Sequence, residues 1–194
     1  DFDAGNCHAF LQKYGLVDDF KLNIEANHAT LAAHTFLHEL QYSIDNGIFG
    51  SVDANRGDLL IGWDTDQFPT NIYDAALAMY IILKGGGFTT GGLNFDAKLR
   101  RQSIDPVDLF HAHVGAMDTF AWGLRIAEKM LSDDRLCENV RKRYAGWDKG
   151  IGVEIESGKA DFKKLEQYIL KNGEPELQSG RQEMLENIVN EYIW

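Results

Sequence analysis

Apolar residues recur along this chain in two rhythms. In the first fourteen residues Phe10, Leu11 and Tyr14 share one helical face, and Asp3 stands where an N-cap belongs, which predicts a helix over about residues 4–14. Phe20-Lys21-Leu22-Asn23-Ile24 then alternates with period two and predicts a strand. A helical face of Leu31, Phe36, Leu37, Leu40 and Ile44 follows, predicting a helix over about 30–46 that ends at Gly47. Phe49-Gly50-Ser51-Val52 is a second short strand, and a polar loop runs over about 53–69. Ile72, Ala75, Leu77, Ala78, Tyr80, Ile81 and Ile82 mark a helix over about 71–84, stopped by Gly85-Gly86-Gly87. Leu93-Asn94-Phe95 is the third strand, and Asp105-Pro106, an N-cap followed by proline at the first helical position, opens a long helix to about Leu131.

Strand, loop and helix in three successive units predict an α/β fold with a parallel sheet. In such units the functional loops lie at the carboxyl ends of the strands, where Glu25, Asp53 and Asp96 stand. Three parallel strands also leave two open edges, and an apolar sheet face in want of cover.

From about residue 133 the pattern is helical only, with stretches at about 134–147 and 161–171. Ser179-Gly180-Arg181-Gln182 reads as a capping box. Behind it Met184, Leu185, Ile188, Val189, Tyr192 and Ile193 form a stripe that calls for a partner surface, so this region predicts a helical arm and a homo-oligomer. The predicted division is residues 1–132 and 133–194.

Composition narrows the classes. At 194 residues one domain, or one with an appendage, is expected. A net charge of -11 speaks against nucleic acid as a partner. No apolar run approaches the ~20 residues of a membrane helix, and the acidic start Asp1-Phe2-Asp3 is no secretory signal. Cys7 and Cys137 show no metal or redox spacing and fit free thiols in the cytoplasm. The chain starts without Met and within what reads as a helical unit, which predicts a fragment or a processed piece.

The chemistry converges on one cluster. Glu25, Asp53 and Asp96 each end a predicted strand, and neighbouring strands lie ~5 Å apart. Glu25-Ala26-Asn27-His28 adds an imidazole, and the loop Gly62-Trp63-Asp64-Thr65-Asp66 adds two further carboxylates. So many like charges in one place would cost several kcal/mol without compensation, and a divalent cation is the ordinary remedy. Oxygen-rich ligation with one imidazole and no thiolate suits Mg²⁺, Mn²⁺ or Co²⁺ better than structural zinc.

Other candidates carry less. His34 and His38 are spaced as a ligand pair but show no converging carboxylate, so a surface or core role is expected. His111 and His113 point in different directions. Arg56-Gly57-Asp58 reads as loop chemistry, and the glycine runs Gly85-Gly86-Gly87 and Gly91-Gly92 lead from helix to strand without the lysine of a phosphate loop. Trp63 either walls a pocket or is an ordinary buried aromatic.

The segments Asn23-Ile24-Glu25-Ala26-Asn27-His28, Asp53-Ala54-Asn55, Gly62-Trp63-Asp64-Thr65-Asp66-Gln67-Phe68-Pro69 and Asn94-Phe95-Asp96-Ala97-Lys98 closely resemble the xylose isomerase family, in its longer-chain bacterial and fungal class. The likeness runs from residue 1 to Trp194 and corresponds to the family's C-terminal portion. It implies the last three units of a (β/α)8 TIM barrel followed by a helical arm that embraces a neighbouring subunit. It also implies two divalent cations, Mg, Mn or Co, and interconversion of D-xylose and D-xylulose by a metal-assisted hydride shift, with D-glucose also accepted. By the resemblance Glu25 bridges both metals, Asp53 and Asp96 complete much of the first site, and His28, Asp64 and Asp66 hold the second. Asp66 is the catalytic residue, near the proton of an activated water. The family's remaining strands, with a further Glu ligand and the ring-opening His-Asp pair, have no counterpart in these residues, so the chain alone is expected to bind metal weakly and turn over little. The rival expectation is a stand-alone half-barrel that binds a divalent metal or only self-assembles.

Overall fold

The computed structural model describes residues 2–194. The chain divides near Lys129 into two compact units. The first opens with α1 (Ala4–Tyr14), capped as its sequence predicts: the Asp3 carboxylate accepts from the Asn6 N–H at 2.7 Å. Its other oxygen lies 3.2 Å from His34 Nε2, which ties the start of α1 to a later turn. Strand β1 (Leu22–Glu25) passes directly into α2 (Ala26–Leu31). The single helix expected over 30–46 is two. Ala33 adopts a left-handed conformation (φ 60) that breaks the run, and Thr35 starts α3 (Phe36–Asp45) by accepting from the His38 N–H. Strand β2 (Phe49–Asp53), α4 (Ile72–Lys84), β3 (Leu93–Asn94) and α5 (Pro106–Asp133) follow.

The three strands form one parallel sheet in the order β1-β2-β3. Alternation along them separates two chemistries. Ile24 and Val52 turn to one face and join Leu40, Ala78, Met79, Ile82 and Ala127 in the core. Burying each large aliphatic side chain there contributes about 1.5–3 kcal/mol before entropy is counted. The opposite face carries Asn23, Glu25, Ser51 and Asp53. Ser51 Oγ donates to Asn23 Oδ1, and an Asn23 amide hydrogen goes to Asp53. The expected open apolar face is therefore polar instead, because these strands place carboxylates and amides where a half-covered sheet would place aliphatics. Helix α5 lies close on α4 at Gly123: a Cβ there would come within 2.7 Å of the Ala75 carbonyl carbon.

The second unit is helical among the described residues: α6 (Arg135–Tyr144), α7 (Ile151–Glu156), α8 (Phe162–Asn172) and α9 (Gln182–Ile193). The sequence reading has no counterpart for α7, a helix of six residues. Two further expectations are corrected. Ser179 forms no capping box; its hydroxyl accepts from the Arg181 N–H at 3.2 Å, and Arg181 itself, at φ 53, precedes the helix. The stripe on α9 is not bare either. Val189 is buried, Leu185 and Ile188 are half-buried, and Arg135 reaches Glu191 at 2.7 Å and the Tyr192 hydroxyl at 3.1 Å. No helix among the described residues is long and apolar enough to cross a membrane.

The cap of α1 gives a first prediction. Replacing Asp3→Ala should lower unfolding free energy by about 1 kcal/mol at neutral pH. The Asn6 N–H, the Asn6 side chain and His34 hold the Asp3 carboxyl below its ordinary value of 3.8. A carboxyl depressed in the folded state stabilises above its unfolded pKa and loses that contribution as pH falls through the folded one. The gap between wild type and Asp3→Ala in urea unfolding should therefore be full at pH 7 and close below about pH 4. A gap that persists at pH 2 would refute this origin.

Candidate metal centre

The sheet register sets Glu25 beside Asp53, and Asp53 beside Asn94. Two residues past Asn94 the chain turns at Asp96 (φ 39), whose N–H donates to Asn94 Oδ1 at 2.8 Å. Glu25, Asp53 and Asp96 thereby bring one carboxylate oxygen each to within 4.8 Å of one another. A second group of the same compactness is Glu25, His28 and Asp64. His28 Nε2 lies 3.3 Å from Glu25 and 3.0 Å from Asp64. Glu25 belongs to both groups, and it does so because it is at once the last residue of β1 and the residue that precedes α2.

Asp64 and Asp66 come from the loop after β2. Its base is closed by Arg56 and Gln67, which exchange two backbone hydrogen bonds of 2.9 Å. Arg56 Nε also donates to the Phe68 carbonyl at 3.0 Å, so the Arg56-Gly57-Asp58 tripeptide is built into the loop. Phe68 is buried and meets Phe95 and His113 edge-on. Asp66 falls in neither compact group. It sits at φ 39 beside Asp64 and accepts from Lys98 Nζ at 2.6 Å. Trp63 is 64% exposed on the loop and is not a buried aromatic.

Electrostatics separate the carboxyls. Burial pushes Glu25 above the usual carboxylate range, partly offset by the Asn55 amide and His28. Asp64 is raised chiefly by its hydrogen bond with Asp66, and Asp66 is lowered chiefly by the same bond, with Lys98 assisting. The hydrogen bond between the two thus moves them in opposite directions, Asp64 up and Asp66 down. Lys98 is the only lysine or arginine in an ion pair with any of these five carboxylates among the described residues.

The amides around the cluster are the part that reading single carboxylates misses. Asn23 and Asn94 donate to the two oxygens of buried Asp53 at 2.6 and 2.5 Å. Asn55, 3% exposed, donates to Glu25 Oε1 at 2.8 Å and to the Asp96 carbonyl, and accepts from the Asn27 N–H at 2.9 Å. Their signal was in the sequence. Asn23 stands two before Glu25 on β1, the spacing that puts both on one face, and Asn55 two after Asp53 and Asn94 two before Asp96 repeat that spacing across a strand end. These amides neutralise nothing. They fix carboxylate oxygens in place while leaving the negative charge for a cation, as partners behind metal ligands do. The donor set, oxygen-rich with one imidazole, fits hard divalent ions.

A second histidine cluster has a different character. Contrary to expectation, two carboxylates do converge on His34 and His38: Asp3 on the former and Glu39 on the latter, at 2.8 Å. The two rings are stacked at 4.6 Å and 13°. His34, His38 and Glu39 each bring one ligand atom to within 4.8 Å of the others, with both imidazoles already engaged by carboxylates. Glu39 is buried and accepts the Ala4 N–H at 2.6 Å, and the cluster fastens α1 to α3.

Comparison with known proteins places these residues in context. The chain is 57% identical over 194 residues to a xylose isomerase of Thermoanaerobacterium thermosaccharolyticum, a match covering 100% of this chain and 44% of that protein. It is 58% identical over 193 residues to one from Thermotoga petrophila, and 56% identical over 193 residues to one from Geobacillus stearothermophilus. In each case the chain spans 44% of the relative, its C-terminal portion. Residues 140–193 match the family described as the XylA2 C-terminal domain.

Replacing Asn55→Leu keeps the volume and removes the amide. Glu25 Oε1 and the Asn27 N–H would each lose a buried partner, at about 1–3 kcal/mol apiece. Unfolding in urea should show a loss in that range. A change under about 0.5 kcal/mol, the level of an ordinary surface substitution, would contradict the bonding described.

Proposed function

The chain belongs to the xylose isomerase family, matching its C-terminal portion, and from that premise we propose that its carboxylate cluster is the two-cation centre of an aldose-ketose isomerase acting on D-xylose, with D-glucose as a second substrate. The observation that carries this reading is the position of Glu25, shared by two separate ligand groups at the ends of parallel strands. Glu25, Asp53 and Asp96 would hold one ion, and Glu25, His28, Asp64 and Asp66 the other. Mg²⁺, Mn²⁺ and Co²⁺ suit the donors. Such ions, when bound, supply Lewis-acid polarisation of sugar oxygens and a lowered pKa for water.

The chain's own residues supply positioning and proton traffic. Isomerisation moves hydrogen from C2 to C1 and a proton between the two oxygens, with no net gain or loss. Asp66, ionised and pinned by Lys98, accepts and returns that proton. Glu25 and Asp53 stay fixed through Asn55, Asn23 and Asn94, which limits reorganisation as charge shifts.

For the architecture we propose a (β/α)8 barrel of which residues 1–132 are part, with 133–194 as an arm for subunit contact. The polar row on one sheet face supports it, as do the single partners of β1 and β3 among the described residues. So does the exposed stripe Val107, Phe110, Val114, Met117 and Leu124 along α5. On the arm, Phe162 at 92% and Leu170 at 80% exposure lie two turns apart on α8 and suit a homo-oligomeric contact.

Two measurements test the chemistry. Titration calorimetry with Mn²⁺ on the protein should show binding that the double change Asp64→Ala plus Asp66→Ala weakens by at least tenfold, and an unchanged isotherm rejects the assignment. D-xylose isomerisation by the full protein carrying this sequence should vanish in Glu25→Gln, whereas retained turnover would assign the chemistry elsewhere. A third measurement tests the arm. Light scattering should give a mass above one protomer, reduced by deletion of residues 176–194; a monomer before deletion excludes the arm's role.

A further inference from the structure

Asn27 is 1% exposed, and its Oδ1 is a buried acceptor without a partner. Its two nitrogens are both used. Its N–H donates to Asn55 Oδ1 at 2.9 Å, and its Nδ2 donates to Asp64 Oδ1. The other oxygen of Asp64 faces His28 Nε2 at 3.0 Å. Two consecutive residues of α2 therefore hold the two oxygens of one loop carboxylate.

The orphaned oxygen has a definite cause. Turning the amide over would give Oδ1 a new neighbour, but that neighbour is the Asp64 carboxylate, acceptor against acceptor. The amide stays as it is, and its oxygen points at Gly57. A Cβ on residue 57 would overlap Asn27 Oδ1. Gly57 has no need of a left-handed backbone here; it is absent from the positive-φ residues. What the position requires is the missing side chain.

We propose that Asn27 is a positioning residue for Asp64, and that Gly57 is the space that lets it work. This rests on the two-cation reading above. His28 is expected to turn its Nε2 to the cation, which removes its hold on Asp64. The neutral Asn27 amide does not titrate and does not compete for the ion, so it keeps Asp64 aimed while the other oxygen ligates. Through its N–H and Asn55 the same residue reaches Glu25, the ligand shared by both groups. Asn27 thus couples the loop-borne ligand to the strand-borne ones without touching a cation.

The test is a Co²⁺ titration of the full protein carrying this sequence, followed by visible absorbance, with thermal unfolding of each variant in the absence of metal. Wild type should fill two sites. Asn27→Ala should weaken the site of His28 and Asp64 by about tenfold to a hundredfold and the site of Asp53 and Asp96 by less than about threefold. Gly57→Ala keeps every polar group and should weaken the same site, because its methyl displaces the amide; it also carries the test should Asn27→Ala fail to fold. In the double variant the methyl added at position 57 enters space that the Asn27 amide has vacated. Affinity should then be no worse than in Asn27→Ala alone, a non-additivity that separates a coupled pair from two independent defects. Equal weakening of both sites in step with a lowered melting temperature would overturn the proposal in favour of a general structural role, as would unchanged affinity in both single variants. Failure of the wild type to bind Co²⁺ would instead remove the metal-centre reading, and the positioning role with it.

Discussion

Like charge packed at one end of a small parallel sheet is the constraint from which the rest of this structure follows. Glu25 and Asp53 stand on adjacent strands in register, Asp96 follows the third, and a loop delivers Asp64 and Asp66 beside them. Repulsion and desolvation both disfavour that arrangement. The protein answers with neutral donors in place of countercharges. Asn23, Asn55 and Asn94 bind oxygens and leave the field negative. A lysine at each carboxylate would have made a more comfortable apo-protein and a worse cation site. Among the described residues the one lysine ion-paired with these carboxylates, Lys98, is spent on Asp66, which lies outside both compact ligand groups.

The two faces of the sheet divide the labour. Ile24 and Val52 join the core, so the strands are anchored by burial on one side while the other side is free to be polar. The sequence pattern shows this only in part. Period-two alternation in Leu22-Asn23-Ile24 reads as a strand whichever face is wet. That the wet face carries ligands rather than plain solvation becomes visible when the carboxylates of separate strands are seen to align.

Much of the fold was legible for physical reasons that hold locally. Caps and apolar periodicity marked α1 and α4, and strand ends marked Glu25, Asp53 and Asp96. What was not legible depends on tertiary choice. The break at Ala33 places an ordinary alanine in a left-handed conformation, and no propensity announces that; Thr35, a good N-cap, was the available hint. The short α7 has too few residues for a period to declare itself. The false capping box at Ser179 had the right spacing, but its hydroxyl is committed to Arg181 two residues on. Of the two carboxylates at His34 and His38, Glu39 is adjacent in sequence to His38, whereas Asp3 is distant and only folding brings it to His34.

The two ligand groups differ in how they are carried. One is set by strand pairing, with Glu25 and Asp53 on paired strands and Asp96 just past the third. The other depends on a loop whose base is stapled between Arg56 and Gln67. The strand-borne carboxylates are in place as soon as the sheet forms, whereas Asp64 also requires the loop to settle. Local opening of that staple would scatter the group of His28 and Asp64 while the register of Glu25 and Asp53 persists.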